Sequence, residues 1–309
     1  MDPSLCIHLD KNNISSMLDS IDTVLFDCDG TLWRGKDILP GSIGLAEKLL
    51  ERGKRVGYVS NCSTRTHSEM LQDLALRGFP VADPDLVMVT AKSCALYLAE
   101  KIPNSLVYLA APPSLEKELN AVGIKTWTID NNVADWSEVH PYPDMSQIDA
   151  TSAVIVGLDR HVTYRRLEVA TDILLKKNDC LFVATNMDTT FPEAGGRLAP
   201  DCGALAATLS ASTRRPVDIN IGKPSAIMFE MEKHLLNIDP NRTIMVGDRC
   251  ETDVEFAAAI GSKSLLVLTG AGTEEDANYY LQTNKRLAPT YISPSTEHFL
   301  QMVTGEIEA

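Results

Sequence analysis

The 309-residue chain has no long apolar run, no paired-cysteine motif and no excess of basic residues. No apolar run approaches the roughly 18 residues that a membrane-spanning helix needs. Residues 1–20 mix charged and polar side chains, without the basic start and apolar stretch of a signal peptide. We therefore expect a cytoplasmic protein with no membrane as a partner.

The cysteines and histidines do not form metal-binding or disulfide patterns. The seven cysteines, at positions 6, 28, 62, 94, 180, 202 and 250, never occur as C-x-x-C. They therefore predict reduced thiols packed as small apolar side chains, rather than a disulfide framework or a structural zinc site. The six histidines contain no H-E-x-x-H motif, which disfavours a zinc hydrolase.

Basic residues are outnumbered by acidic ones, 28 to 42, which gives a formal net charge of −14. This charge argues against nucleic acid as a partner, because phosphate backbones attract basic surfaces. It would also repel a small anionic substrate, unless a bound divalent cation offsets the repulsion locally. The composition, 44% hydrophobic and 23% charged, is ordinary for a globular protein.

Short apolar runs alternate with amphipathic helical patterns through most of the chain. The runs are continuous in hydrophobicity, as expected for strands that are covered on both faces. The predicted strands are 23–27, 55–60, 85–90, 105–110, 153–159, 181–185, 243–247 and 264–269. The predicted helices are 42–54, 66–77, 91–101, 113–121, 164–177, 204–212, 225–236 and 252–260. This repetition predicts an α/β fold with a Rossmann-like, doubly wound parallel sheet.

The length favours two domains at about 150 residues each. The segment 105–204 has strands and helices of its own, so it is a candidate for an inserted domain. The predicted organisation is a core formed by residues 1–104 and 205–309, interrupted by a second domain at 105–204.

Four short polar segments each follow directly after a strand-like run. They are LFDCDGT with Asp27 and Asp29, VSN with Ser60 and Asn61, IGKPS with Lys223, and VGDRCETD with Asp248 and Asp253. Ligands of open parallel sheets bind at the carboxyl ends of the strands. All four segments are therefore expected to meet at one edge of the sheet.

These residue types suit phosphoryl transfer, which depends on positioning and on electrostatic stabilisation of the transferred group. Asp27, Asp29 and Asp248 can supply the oxygen ligands that Mg²⁺ prefers, with Asp253 bracing that shell. Asp27 can act as a nucleophile, and Asp29 can protonate the leaving group and then deprotonate water. Lys223, together with Ser60, can bind phosphate oxygens.

Each segment on its own also has a structural interpretation. D-x-D-G is a common turn, Ser-Asn is typical of a helix cap, and a lone lysine is usually a solvated charge. A calcium loop is excluded, because Gly30 is fourth rather than sixth and position twelve is Ile38. Lys223 does not belong to a nucleotide-binding P-loop, because the required upstream glycine is Val217. The four segments together favour catalysis.

In this order, LFDCDGTLWRG, VSNCSTRT, IGKPS and VGDRCETD resemble the four motifs of haloacid dehalogenase superfamily phosphatases. Further segments, PGS, ATNMDTTFP and SLLVLTGAGT, resemble the branch that contains phosphoglycolate phosphatase, 4-nitrophenylphosphatase and pyridoxal phosphatase. The resemblance covers about residues 20 to 295. It implies a Rossmann-like core with a large α/β cap, residues 105–204, inserted between the second and third motifs.

The resemblance also implies roles for individual residues. Asp27 would be the nucleophile and Asp29 the general acid and base. Mg²⁺ would be held by Asp27, the backbone oxygen of Asp29 and Asp248, with Asp253 in support. The phosphate-binding residues would be Ser60, Asn61, Cys62 and Lys223. A homodimer formed through the cap is expected by analogy.

The segment 186–192 resembles the substrate-specificity loop of the branch, and Phe191 stands where pyridoxal phosphatases carry a histidine. This difference, and the TNMD sequence itself, favour phosphoglycolate or 4-nitrophenyl phosphate as the substrate type over pyridoxal phosphate. Two positions depart from the pattern of the family. Cys62 replaces a second asparagine in the phosphate-binding loop, and Asp201-Cys202 replaces a glycine-containing pair, which could alter the hinge of the cap.

Several alternatives stay open at this point. A phosphatase for pyridoxal phosphate, glycerol phosphate or phosphotyrosine would use the same residues, and so would a mutase. A relative that binds a metabolite or a partner without catalysis is a different class of function. The intact acidic residues and Lys223 count against that class.

Overall fold

The structure is a computed structural model that describes residues 6–129, 143–192 and 197–306. The strands are β1 (Ile7–His8), β2 (Thr23–Phe26), β3 (Trp33–Arg34), β4 (Asp37–Ile38), β5 (Arg55–Ser60), β6 (Val87–Val89), β7 (Leu106–Ala110), β8 (Lys125–Trp127), β9 (Thr151–Val156), β10 (Leu181–Ala184), β11 (Thr190–Pro192), β12 (Leu198–Pro200), β13 (Ile219–Asn220), β14 (Thr243–Gly247), β15 (Lys263–Val267) and β16 (Tyr291–Ser293).

The helices are α1 (Ile14–Asp19), α2 (Ser42–Glu51), α3 (His67–Leu76), α4 (Thr90–Lys101), α5 (Pro113–Ala121), α6 (Met145–Ala150), α7 (Tyr164–Lys176), α8 (Cys202–Thr213), α9 (Ile227–Leu236), α10 (Glu255–Ile260), α11 (Glu274–Thr283) and α12 (Thr296–Thr304). A π-helical turn, Cys250–Val254, leads directly into α10. Among the described residues, no helix combines the length and the apolar character needed to cross a membrane.

The main sheet has seven strands in the order β1-β16-β15-β14-β2-β5-β6. Every pairing in it is parallel. Both β2 and β14 are buried along their whole length, which explains why their sequences are continuously apolar. The doubly wound parallel sheet predicted from the sequence is therefore confirmed.

A second parallel sheet has five strands in the order β13-β10-β9-β7-β8. Helices α7 and α8 cover one of its faces, where Ala170, Ile173, Ala206 and Leu209 share a cluster with Phe182. A different cluster joins residues of both sheets with residues of α4, α5 and α9. The two sheets are thus packed together through a continuous apolar layer, rather than being joined by a bare linker.

The predicted domain limits at 105 and 204 stay a prediction. Residues 106–200 supply most strands of the second sheet, but its edge strand β13 lies further along the chain. No apolar alternation marks this two-residue strand in the sequence, so its sheet could not be assigned from the pattern.

Local signals explain where several helices begin. Thr66 caps α3, because its hydroxyl accepts a hydrogen bond from the backbone of Glu69 and the Glu69 carboxylate accepts one from Thr66. Pro113 occupies the first turn of α5, where its missing N–H is not needed. Both helices begin at or within one residue of the predicted position. Helices α11 and α12 were not predicted from the sequence.

Candidate active site

Three of the four polar segments lie at the carboxyl edge of the main sheet. Asp27 follows β2, Ser60 ends β5, and Asp248 follows β14. These strands are direct neighbours in the order β14-β2-β5, so the fold brings the three segments together. The prediction that all four segments lie at one sheet edge was wrong for the segment that contains Lys223, because this residue follows β13 of the second sheet. Lys223 reaches the site because the two sheets pack against each other.

Lys223 is 2% exposed, and all three protons of its ammonium group are used. Nζ donates to Asp27 Oδ1 at 2.5 Å, to Asp253 Oδ1 at 2.7 Å and to the carbonyl oxygen of Val59 at 3.1 Å. Burial by itself would lower the pKa of Lys223, but the two carboxylates outweigh it and raise the pKa above its ordinary value. The lysine is therefore held as a cation beside Asp27.

The carboxyl group of Asp27 is buried, and one of its two oxygens, Oδ1, accepts the hydrogen bond from Lys223. Burial raises the pKa of Asp27 well above its ordinary value, against the lowering effect of Lys223. Its second oxygen, Oδ2, is buried and has no hydrogen-bond partner among the described residues. Leaving a buried acceptor without a partner is costly, so this atom is suited to contact a bound metal ion or substrate.

Asp248 and Asp253 are placed for different tasks. Asp248 Oδ2 accepts a hydrogen bond from the backbone N–H of Ala271 at 2.8 Å. Burial, followed by the nearby Asp253 charge, raises the pKa of Asp248 to about 6. Asp253 Oδ2 accepts from the backbone N–H groups of Asp248 and Arg249, each at 3.1 Å. Since its Oδ1 is bound to Lys223, Asp253 braces the loop with both of its oxygens.

The residues present fit a hard divalent cation. Carboxylate oxygens of Asp27, Asp248 and Asp253 all lie within 4.8 Å of one another. The backbone leaves space around Asp248, because a Cβ on Gly30 or Gly270 would lie 2.5 or 1.7 Å from its Oδ2. Gly30 also has a φ of +97°, a backbone conformation that residues with a side chain rarely adopt. Oxygen donors from carboxylates are the ligands that Mg²⁺ takes in proteins.

The Asp29 side chain is held by Trp33. The Trp33 indole N–H donates to Asp29 Oδ1 at 2.9 Å. Trp33 itself is buried against Phe79, with ring centroids 5.5 Å apart, and the Arg77 guanidinium lies 4.4 Å from its ring centroid. Asp29 as a whole residue is exposed, but protein atoms surround its carboxyl group. This desolvation raises the pKa of Asp29, and the hydrogen bond from the Trp33 indole lowers it by less.

The segment after β5 contains Ser60, Asn61 and Cys62. Ser60 is 3% exposed, and its hydroxyl accepts from the backbone N–H of Cys62 at 3.2 Å. The Asn61 side chain makes two hydrogen bonds with the backbone of Lys223. Its Oδ1 accepts from the Lys223 N–H at 2.8 Å, and its Nδ2 donates to the Lys223 carbonyl oxygen at 3.1 Å. The Cys62 thiol contacts the hydroxyl of Thr64 at 3.1 Å. Direct phosphate binding by these residues stays a prediction.

A cavity of about 320 Å³ adjoins Lys223. Its lining residues are Met187, Asp188, Thr189, Lys223, Pro224, Arg249, Glu251 and Thr252. The segment 186–192 therefore contributes to the cavity wall, but Phe191 is not among the lining residues. The Phe191 ring instead lies 4.8 Å from the guanidinium of Arg160.

Three charged lining residues, Asp188, Arg249 and Glu251, were not singled out from the sequence. Asp188 Oδ1 lies 3.3 Å from Arg249 Nη1. Both residues stand inside motifs that were recognised, TNMD and VGDR, but the pattern gave no sign that they meet. Their juxtaposition depends on the approach of the second sheet to the main one.

The segment at Asp201 and Cys202 is not strained. Asp201 has φ of −105° and ψ of −174°, which is ordinary extended backbone. Its side chain accepts from the backbone N–H of Cys202 and begins α8. No glycine is required at this position, because the backbone does not adopt a positive φ. Burial raises the pKa of the Asp201 carboxyl group to about 6.

Comparison with known proteins places these features in one family. Residues 24–125 match the family model described as haloacid dehalogenase-like hydrolase, and residues 220–297 match a second model of the same hydrolase type. Glycerol-3-phosphate phosphatase of Mus musculus is 34% identical over 322 residues, which cover 98% of this chain and 98% of that protein.

Two solved structures are similar over almost the whole chain. The p-nitrophenyl phosphatase from Archaeoglobus fulgidus has a TM-score of 0.76 and 26% identity, covering 91% of this chain and 99% of that one. The glycerol phosphate phosphatase from Mycobacterium tuberculosis in complex with magnesium also has a TM-score of 0.76, with 28% identity, covering 92% of this chain and 78% of that one. The similarity thus includes both sheets.

Proposed function

Because the chain belongs to the haloacid dehalogenase-like hydrolases and is a phosphoric monoester hydrolase, we propose that it hydrolyses a small phosphomonoester through an aspartyl-phosphate on Asp27, with Mg²⁺. The observation that carries this proposal is the buried Asp27 carboxyl group, held by Lys223 through Oδ1 and without a described partner at Oδ2. A carboxylate that is oriented in this way is a suitable nucleophile.

Asp27, the backbone oxygen of Asp29 and Asp248 would hold the Mg²⁺ ion. When bound, the ion would neutralise charge on the transferring phosphoryl group and help to orient it. Asp253 supports this arrangement from outside, because its oxygens are occupied by Lys223 and by two backbone N–H groups.

The protein residues account for both halves of the reaction. The Asp27 carboxylate attacks phosphorus, so that an O–P bond to Asp27 forms while the bond to the leaving alkoxide oxygen breaks. Asp29 donates a proton to that alkoxide as the general acid. Asp29 then takes a proton from water, which attacks phosphorus and releases inorganic phosphate from Asp27. Lys223 and Ser60 would stabilise negative charge on the phosphate oxygens.

The charges of the cavity favour a leaving group without a carboxylate. Asp188 and Glu251 line the cavity, while its two cations, Lys223 and Arg249, are already paired with carboxylates. A glycerol leaving group is neutral and can donate its hydroxyl groups to these acceptors. We therefore rank glycerol phosphate ahead of 2-phosphoglycolate, which reverses the order that the sequence motifs favoured. The similarity to glycerol-3-phosphate phosphatase supports this ranking.

Phosphate release tests the proposal directly. Wild type and Asp27→Asn would be compared with glycerol 3-phosphate, 2-phosphoglycolate, pyridoxal phosphate and 4-nitrophenyl phosphate, each with Mg²⁺ and with a chelator. We expect Mg²⁺-dependent release by the wild type and a loss of at least about 1000-fold in the variant, or about 4 kcal/mol of transition-state stabilisation. Asp149→Asn, an exposed position on α6, is the matched control.

Two results would overturn the proposal. Release that is retained in Asp27→Asn would exclude this aspartate as the nucleophile. Release by the wild type that is unchanged by the chelator would exclude the metal requirement. A homodimer formed through the cap and a cytoplasmic location stay predictions, and light scattering of the purified protein would test the former.

A further inference from the structure

Trp33 returns to Asp29 through a tight turn of the backbone. The N–H of Gly30 donates to the carbonyl oxygen of Trp33 at 2.7 Å, and the N–H of Trp33 donates to the carbonyl oxygen of Cys28 at 3.2 Å. The turn places the indole beside the carboxylate, so that Nε1–H donates to Asp29 Oδ1 at 2.9 Å. Within the described part of the chain, no other group donates a hydrogen bond to this carboxylate.

The indole is a rigid donor, because other residues hold its ring in place. Trp33 is 2% exposed, and the Phe79 ring packs edge-on against it with centroids 5.5 Å apart. The Arg77 guanidinium lies 4.4 Å from the Trp33 ring centroid. Arg77 is itself held by Asp73, whose Oδ2 accepts from Arg77 Nε at 3.0 Å. The direction of the indole N–H is therefore set by packing, and the Asp29 carboxyl group adjusts to it.

The hydrogen bond gives the two oxygens of the Asp29 carboxyl group different tasks. An indole N–H only donates, so the oxygen that faces it acts as an acceptor and the acid proton belongs on Oδ2. In the proposed Mg²⁺ site Asp29 contributes its backbone oxygen, which leaves Oδ2 for the leaving group. A general acid acts on an atom within hydrogen-bond reach of its proton. A carboxyl group that is held in one orientation keeps this proton at a defined place.

We propose that Trp33 is a positioning residue, whose indole N–H holds the Asp29 carboxyl group so that Oδ2 delivers its proton to the leaving oxygen. This inference rests on the proposed phosphatase function. In the step concerned, the bond from phosphorus to the leaving oxygen breaks, the electron pair stays on that oxygen, and the proton passes to it from Asp29 Oδ2. A strongly basic alkoxide needs this proton in order to depart, whereas the weakly basic 4-nitrophenolate departs without it.

Trp33→Phe tests the inference, because it removes the N–H and keeps an aromatic ring. The measured quantity is kcat/KM for glycerol 3-phosphate, phenyl phosphate and 4-nitrophenyl phosphate, named in order of decreasing basicity of the leaving oxygen. We expect a loss of about tenfold for the first ester and of less than about threefold for the last, since general acids contribute about 10²–10⁴-fold. Phenyl phosphate should lie between them. A structural defect would lower all three values alike.

Three further variants separate the hydrogen bond from its surroundings. Trp127→Phe is the same substitution in the second sheet, where the indole donates to the Thr151 hydroxyl at 2.9 Å, and it should leave the ratios among the esters unchanged. Phe79→Leu disturbs the packing of the Trp33 ring but keeps its N–H. In an Asp29→Asn background, Trp33→Phe should change phenyl and 4-nitrophenyl phosphate turnover equally. Equal losses for all esters in Trp33→Phe, or the same pattern of losses in Phe79→Leu, would overturn the inference.

Nuclear magnetic resonance tests the contact without turnover. The chain has three tryptophans, and Trp33→Phe identifies which indole N–H signal belongs to Trp33. We expect Asp29→Asn to shift this signal, because the indole loses an acceptor that carries charge, and to leave the Trp127 signal in place. An unmoved Trp33 signal would overturn the inference.

The two proposals fail in different ways. A wild type that hydrolyses none of the three esters would overturn the proposed function, and the role of Trp33 in proton transfer with it. A wild type that hydrolyses them with Mg²⁺, combined with equal losses in Trp33→Phe, would overturn only the role of Trp33.

Discussion

Lys223 Nζ donates a hydrogen bond to Asp27 Oδ1 at 2.5 Å, although 196 residues separate the two in the sequence. Asp27 follows a central strand of the main sheet, and Lys223 follows the edge strand of the second sheet. The pair therefore forms only when the two sheets are packed against each other. Any change in that packing alters the neighbours of the proposed nucleophile.

Lys223→Met should reduce both activity and stability. It leaves the buried carboxylates of Asp27 and Asp253 without their cation, and removing one partner of a buried ion pair costs about 3–5 kcal/mol. The raised pKa of Lys223 means that its contribution is fully present at neutral pH and is lost only above the ordinary lysine pKa of 10.5. Urea unfolding at neutral pH measures the loss.

The control for this experiment is Lys48→Met, which breaks an exposed pair with Glu51. Such a pair contributes at most about 1 kcal/mol. Equal losses in the two variants would contradict the assignment of Lys223 to a buried network. Retained phosphate release in Lys223→Met would remove it from the catalytic residues.

Asp201→Asn should stabilise the protein in a pH-dependent way. Burial raises the pKa of Asp201 to about 6 from 3.8, so the folded protein favours the protonated form. Stability of the wild type should therefore rise as the pH falls through about 6. Asparagine stays neutral, so the variant should be more stable by about 3 kcal/mol near pH 7.5 and by only about 1 kcal/mol near pH 4.5, and this advantage is lost below the ordinary aspartate pKa of 3.8.

Thermal or urea unfolding at the two pH values measures this difference. Asp149→Asn, at an exposed position, should show no comparable dependence. A stabilisation of the same size at both pH values would show that the Asp201 charge is not its cause. Asparagine can still cap α8, so loss of the cap is not expected to obscure the result.

Gly203→Ala should displace the loop that carries Asp188. A Cβ at this position would lie 2.3 Å from the Met187 carbonyl oxygen and 2.7 Å from that of Asp188. Backbone atoms cannot yield as a side chain can, so we expect a loss of about 1–3 kcal/mol in stability together with a higher KM. Gly44→Ala is the control, because its Cβ would meet only the Leu300 side chain at 3.2 Å. An unchanged KM in Gly203→Ala would argue against a role for this loop in binding.

Cys62 should be the cysteine that a thiol reagent modifies in the folded protein. The other six cysteines are buried, and Cys62 is half-buried in the segment that follows β5. Burial raises the pKa of Cys28 well above its ordinary value, which disfavours its reactive thiolate. Mass spectrometry after brief treatment with iodoacetamide should find one adduct, at Cys62, with reduced phosphate release. Cys62→Ser should resist both effects, and modification at Cys28 would contradict the prediction.

Much of the fold followed from local patterns. The strand Arg55–Ser60 and the helix Pro113–Ala121 have the predicted limits, because a fully buried apolar run and a proline in the first turn are both local signals. The two-residue strand β13 was missed because its position depends on tertiary pairing rather than on local propensity. Helices α11 and α12 were also missed, although Thr273 and Asp276 form a capping box at the start of α11 and Ser295 caps α12.

Some residues of the candidate site could likewise be selected from local sequence patterns, whereas others could not. Asp27, Asp29 and Asp248 could be selected from the sequence, because each belongs to a recognisable segment at the end of an apolar run. Asp188 and Arg249 could not, although both lie in recognised segments, because spacing along the chain does not show which residues meet across two sheets. Phe191, chosen by its place in the loop, lies outside the cavity lining.

The sequence alone therefore determined the α/β class, the order of the four polar segments and the choice of candidate residues for phosphoryl transfer. These features depend on hydrophobic periodicity and on residue type, which are local properties. Only the tertiary structure decided that Lys223 arrives from the second sheet and that Asp188 neutralises Arg249. Both contacts arise from the packing of distant segments, since burial in a shared interior is what brings such charges within hydrogen-bond distance.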